Sequence, residues 1–159
     1  MRKILISGIP GTGKTTVGAY LQEHHRFLHL DFERQAEIER FLLGRRGELL
    51  GKLATVAHDV TDIVISWGFL PETQLAFVVA LRDCGFDWVW FDGNRDAARR
   101  AFLARGTSSL ATFDVQLRAI AENLDLDQLR PRIVDPFTRG GSFRPVEEIA
   151  GEVLRSAQI

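Results

Sequence analysis

Short apolar runs alternate with helix-period segments along the chain, and this predicts an α/β fold built on parallel strands. Two observations sharpen that reading. The stretch GIPGTGKT, Gly8 to Thr15, follows the apolar run Ile4, Leu5 and Ile6 and leads straight into a helical pattern. Five candidate strands separated by helices then fill the 159 residues without a repeat, a low-complexity tract or a linker. A chain of this length fits one domain, residues 1–159, with a full core.

Strand one is read at Lys3 to Ser7. Glycines at 8, 11 and 13 let the next segment curl so that successive backbone N–H groups point inward at phosphate oxygens, and the helix beginning near Thr15 adds the positive end of its dipole. In such a GxxxxGKT loop Lys14 reaches the β- and γ-phosphates, and the Thr15 hydroxyl ligates Mg²⁺. The expected nucleotide-binding set is Gly8, Gly11, Thr12, Gly13, Lys14, Thr15 and Thr16, with ATP and Mg²⁺ as cofactors and Thr15 as the metal ligand.

Val17, Tyr20, Leu21 and His24 give the first helix one face, and His24, His25 and Arg26 complement its C-terminal dipole. Phe27 to Leu30 reads as strand two, ending at Asp31. Ile38, Phe41 and Leu42 mark a helix stopped by Gly44; Leu49, Leu50, Leu53, Val56, Ala57 and Val60 mark the next, after the basic turn of Arg45 and Arg46. Asp62 to Ser66 carries the β-branched run of strand three. Pro71 and Gly85 bracket a helix by the proline-first, glycine-last asymmetry. Trp88 to Phe91 is strand four, and Asn94 or Asp92 can cap the helix bearing Arg95, Arg99, Arg100 and Arg105. After Gly106 to Ser109, a helix is marked by Phe113, Leu117, Ile120 and Leu124. Arg132 to Val134 and the segment from Val146 to Leu154 form the last strand and helix.

Twenty basic and twenty-one acidic residues leave a formal charge of −1, so no net field draws the protein to nucleic acid or to a membrane. The single Cys84 excludes an internal disulfide and a cysteine metal cage, which suits a reducing cytosol. No signal peptide and no membrane span is read in the chain, and a cytoplasmic location is expected.

With the loop after the first of five strands, the chain resembles the small P-loop kinases of metabolites and nucleotides, the group of shikimate, gluconate and adenylate kinases. The resemblance implies a three-layer fold with a parallel sheet in the order 2-3-1-4-5 and a site along the carboxyl ends of the strands, the edge that open α/β sheets use in general. It places Asp31, in RFLHLDFE, opposite the acceptor hydroxyl as orienting base; the alternative is an N-cap of the next helix. His29 stands where the group often carries a further acid, and Ser66 where P-loop enzymes commonly carry the third-strand acid. Trp67 and Gly68 suit an acceptor wall, or Trp67 and Phe69 pack in the core. RDAARRAFLARG resembles the helix leading into a mobile lid, here about residues 106–112, whose arginines close over the transferring phosphoryl group. Arg105, Arg99 and Arg100 are the candidates, and helical spacing keeps all three from facing one site. Arg45 and Arg46, and the run Glu33, Arg34, Gln35 and Glu37, lie where the group builds its acceptor lobe.

The expectation is ATP-dependent phosphoryl transfer to a small-molecule hydroxyl or phosphate, with Lys14, Asp31 and the lid arginines as catalytic residues. A nucleotide switch or NTPase acting on a partner protein and a kinase of polynucleotide ends are the alternatives, the near-zero charge weighing against a nucleic-acid partner.

Overall fold

The computed structural model describes residues 1–44, 48–56, 62–106 and 109–155. Arg45 and Arg46, Ala57 and Val60, and Thr107 of the expected lid lie outside the described residues. Five strands, β1 (Lys3–Gly8), β2 (Leu28–Asp31), β3 (Ile63–Ser66), β4 (Asp87–Phe91) and β5 (Arg132–Val134), form one parallel sheet in the order β2-β3-β1-β4-β5. In register, Leu5 lies between Ile65 and Trp88, and Asp31 lies opposite Ser66.

The strands are apolar on both faces because both are covered. On one face Ile4, Ile6, Val64, Val89 and Phe91 pack under Val17 and Leu21 of α1 (Lys14–His25) and under Ile149, Ala150 and Val153 of α8 (Val146–Leu154). The other face carries Leu5, Ile63, Ile65, Trp88 and Trp90. It is covered by Val78 and Leu81 of α4 (Pro71–Asp83), by Ala97, Ala98 and Phe102 of α5 (Arg95–Ala104), and by Phe113 of α6 (Leu110–Asn123). Between β2 and β3 lie α2 (Ala36–Leu43) and α3 (Leu49–Val56). The result is the expected three-layer arrangement.

Local chemistry sets the boundaries. Pro71 opens α4, and Gly85, at φ 87, takes the left-handed conformation just after it. Asn94, not Asp92, caps α5: its side chain accepts from the Ala97 N–H at 2.9 Å. Asp92 instead accepts from Gly93 N–H and pairs with Arg95 at 3.3 Å. Leu110 already belongs to α6, capped by Ser109, so the last part of the expected lid is helical. The short α7 (Leu126–Leu129) was not foreseen; four residues are too few to show a period, and its signature is the Asp125 cap on Gln128 N–H.

Trp67 and Phe69 pack in the core. A ladder of rings runs from Phe32 to Trp67 (5.3 Å between centroids), to Phe69 (5.6 Å) and on to Trp88 and Trp90 (6.2 Å each). Trp88 donates its indole N–H to Ser7 Oγ at 2.5 Å, whereas the buried Trp90 N–H has no acceptor. Trp67 has its indole N–H within hydrogen-bonding reach of Glu39 on α2, and the same carboxylate accepts from Gln74 of α4 at 3.2 Å. Burial raises the Glu39 pKa above its ordinary value, against these hydrogen bonds and the nearby Arg40.

Candidate active site

Sheet order brings the phosphate loop to the carboxyl edge, between β3 and β4. The loop fits there because it lacks side chains: a Cβ at Gly11, at φ 77, would fall on the Ala98 carbonyl oxygen of α5. Gly13 occupies the N-cap of α1 in the left-handed conformation, and no side chain caps the helix. The first amides of α1 are thus left for an anion. Thr12 turns inward and donates to Ile9 O at 2.8 Å, holding the loop from within; Lys14 Nζ donates to the same carbonyl at 3.0 Å. Thr15 is half-buried and Thr16 exposed at the head of α1.

Lys14 is only 6% exposed. Burial pushes its pKa from 10.5 down to about 8, with Arg105 adding to the fall and Glu33 and Asp31 opposing it. The amine is thus a cation held in poor surroundings until an anion arrives.

Asp31 is buried at the end of β2. Its Oδ1 accepts from the amides of Glu33 (3.1 Å) and Arg34 (3.3 Å), closing a turn, and Gln35 stands at the N-cap of α2. Asp31 therefore does not cap the helix. Its Oδ2 is buried without a hydrogen bond, the exposed Arg34 lying 3.7 Å away. With an ion pair on one side and no hydrogen bond, this buried oxygen keeps acceptor capacity for a partner that arrives later.

Glu33 exerts the strongest attraction on Lys14. Its carboxylate lies over Gly68, in the space a Cβ there would need, with the Lys14 stem alongside. Lys14, Glu33, Gly68, Phe69 and Leu70 face Gln116 and Ile120 of α6 across a cleft with about 60 Å³ of free space. Sequence reasoning did not foresee the Gln116 wall, since nothing in the α6 pattern says which helix covers the loop.

The three candidate arginines diverge. Arg99 pairs with Asp114 of α6 at 3.0 Å and lies over the Phe113 ring at 5.6 Å. Arg100 is exposed and reaches toward Gly141 and Asn94. Arg105, also exposed, places its charge where Lys14 feels it.

A second cleft, of about 190 Å³, lies between Thr12, Gly13, Thr16 and Val17 on one side and Phe143, Arg144, Val146 and Ile149 on the other. The loop after β5 builds it: Asp135 accepts from Phe137 N–H at 2.9 Å, and Arg144 donates to Asp135 O at 2.7 Å and to Glu152 at 2.9 Å. Phe143 rests on Phe137 with 4.7 Å between centroids, and Gly13 lies against its edge. This loop was also not foreseen. Its signal is the glycine-rich turn flanked by two phenylalanines directly after the last strand.

On the α1 face of the sheet, His29 Nε2 and Ser66 Oγ hydrogen-bond at 2.8 Å, the imidazole seated against Gly18. Burial lowers the His29 pKa, Asp31 opposing and Arg34 reinforcing the fall. Among the described residues no group of three or more His, Cys, Asp or Glu could hold a metal ion. No helix among them is long and apolar enough to cross a membrane.

No family model matches the chain, and no curated protein does. Solved structures do. A gluconokinase from Sinorhizobium meliloti superimposes with a TM-score of 0.60 at 19% identity, over 96% of this chain and 89% of that one. The fold is that of the small P-loop kinases. A shikimate kinase from Bacteroides thetaiotaomicron matches at TM-score 0.57 and 15% identity over 96% and 95% of the two chains. One from Acinetobacter baumannii, in complex with shikimate, matches at 0.58 and 18% over 98% and 92%. At these identities the likeness is one of fold, and chemistry has to be argued from the side chains.

Proposed function

We propose that the protein transfers the γ-phosphate of ATP to a hydroxyl or phosphate group of a small molecule. The observation that carries this reading is Asp31 Oδ2, a buried carboxylate oxygen without a hydrogen bond at the edge where Lys14 and the phosphate loop converge. A loop that only held a nucleotide would not need it.

The amides at the head of α1 and Lys14 bind the phosphates, which restore to the amine the negative partner its burial lacks. Thr15 is placed to hold Mg²⁺, which when bound neutralises charge on the β- and γ-phosphates. The largely apolar cleft by Phe143, lined on one side by Thr12 and Gly13 of the loop itself, suits the nucleobase, and Arg100 lies beside Gly141 in the neighbouring turn. Asp31 orients the acceptor hydroxyl and takes its proton as the new bond to phosphorus forms. Arg105 is the arginine that closes over the transferring group; Arg99 braces α6. The acceptor enters between Glu33 and Gln116, and the gluconokinase and shikimate kinases that share the fold make a polyhydroxylated molecule the natural first class to try. With about 60 Å³ free, α6 has to move to admit it.

The test is Asp31→Asn, assayed for nucleotide affinity and for acceptor-dependent ADP release over a panel of sugars, sugar acids, nucleosides and their monophosphates. Affinity is expected to hold while transfer drops by roughly 10²-fold or more, the usual worth of a positioned base. Transfer at near wild-type rate would remove Asp31 from the chemistry and make Glu33 the next residue to test. Wild-type hydrolysis indifferent to every acceptor and stimulated by a protein partner would favour a switch.

A further inference from the structure

The half-buried His29 and the buried Ser66 form a hydrogen-bonded polar pair against α1 that the proposed phosphoryl transfer leaves without a role. Strand alternation sends His29, Asp31, Val64 and Ser66 to the face that α1 covers, because 29 and 31 share one side of β2 as 64 and 66 share one side of β3. A hydroxyl and an imidazole on a buried face cost free energy unless they are bonded, and these two satisfy each other at 2.8 Å. Gly18 makes the arrangement possible. It lies one turn beyond Thr15 in α1, and a Cβ there would collide with the imidazole at Nε2, Cδ2 and Cε1.

We propose that His29 and Ser66 act as one unit that accepts a hydrogen bond from a water on the nucleotide-bound Mg²⁺, His29 serving as the positioning residue and Ser66 as the acceptor. The inference rests on the kinase reading above. A lone serine hydroxyl is both donor and acceptor and rotates to suit its surroundings. With the neutral ring protonated at Nδ1, Nε2 accepts the hydrogen bond of the Ser66 hydroxyl and fixes the rotor, so the remaining lone pairs of Oγ serve as acceptors only. Metal-bound water has only protons to offer, so it requires a partner of that kind. The unit does the work of a carboxylate without a negative charge, and Asp31 Oδ2, on the same face, is left free for the acceptor.

The test measures binding of a fluorescent ATP analogue to the full chain, first with chelator and then across a Mg²⁺ titration. Wild type, Ser66→Ala, His29→Leu, Gly18→Ala, Ser66→Asp and the Ser66→Ala/His29→Leu double variant are compared. Metal-free affinity is expected to be the same in all but Ser66→Asp, whose added negative charge weakens it. The half-saturating Mg²⁺ concentration is expected to rise about tenfold in Ser66→Ala and in His29→Leu, the usual cost of losing an outer-shell partner, and no further in the double variant. Gly18→Ala reproduces the His29→Leu result by displacing the ring while leaving both partners in the sequence; it serves alone should the leucine variant fail to fold. Ser66→Asp, which supplies a carboxylate, lowers the half-saturating concentration below wild type. Unchanged Mg²⁺ dependence in Ser66→Ala, or additive effects of the two single changes, overturns the unit while leaving nucleotide binding and transfer standing. A wild-type chain that binds no nucleotide at all overturns both.

Discussion

Removing the phosphate-loop lysine should stabilise the nucleotide-free protein. In Lys14→Met the amine is replaced by an apolar chain of similar length in a site only 6% exposed. The fall of the Lys14 pKa from 10.5 to about 8 corresponds to about 3 kcal/mol that the folded state forgoes while the amine is charged. Little is lost in exchange, because Ile9 O keeps its hydrogen bond from Thr12 at 2.8 Å when Lys14 is gone. The direction with pH follows from the unfolded chain holding the proton more tightly than the folded one. The penalty is complete below about pH 8 and is relieved as pH rises from 8 toward 10.5, so wild type gains on the variant over that window. Thermal melts without nucleotide at pH 7 should place Lys14→Met above wild type by roughly 6–12 °C, with the gap closing toward pH 10. Added ATP and Mg²⁺ should reverse the order, since only wild type gains from binding. A variant that melts at or below wild type at pH 7, or a gap that ignores pH, would refute the claim that burial strains this amine.

The other substitutions separate chemistry from packing. Arg105→Ala should slow turnover at least tenfold with its melting temperature within about a degree of wild type, whereas Arg99→Ala, which removes the Asp114 pair and the contact over Phe113, should cost about 1 kcal/mol in urea melts and leave turnover per folded molecule intact. Trp90→Phe should cost about 1 kcal/mol less than Trp88→Phe, because Trp90 gives up an indole N–H that has no acceptor while Trp88 gives up its bond to Ser7; equal losses in chemical denaturation would show that the Trp90 donor is satisfied.

The fold was legible where a local rule carries it. The glycine spacing of the loop, the β-branched run at Ile63 to Ile65 and the Pro71 to Gly85 bracket each act within a few residues, and the observed strand order agrees with the order that the resemblance implied. Asp31 was placed at the end of its strand for the same reason. What escaped depends on register between distant segments. His29 meets Ser66 across thirty-seven positions only because β2 and β3 pair with Asp31 opposite Ser66. Glu33 reads as one acid in a wet run until Gly68 leaves a bare backbone for it to lie on. Trp67 fits a substrate wall equally well in one dimension; the sheet resolves the choice by enclosing it between Phe32 and Phe69. The arginines of α5 show the limit of helical spacing, which says that they diverge but not which partner each one meets.

The contact of Trp67 with Glu39 gives the molecule an internal optical reporter. Trp88 and Trp90 are fixed in β4, and their emission answers to the integrity of the sheet. Trp67 is equally buried, but its indole N–H faces a carboxylate on α2, the helix that follows the turn closed by Asp31. A charge beside an indole shifts its emission, so a displacement of α2 that leaves the core untouched would register in this ring alone. In a chain with Trp88 and Trp90 changed to Phe, acceptor docking could be followed as a colour change in a residue that never touches the acceptor.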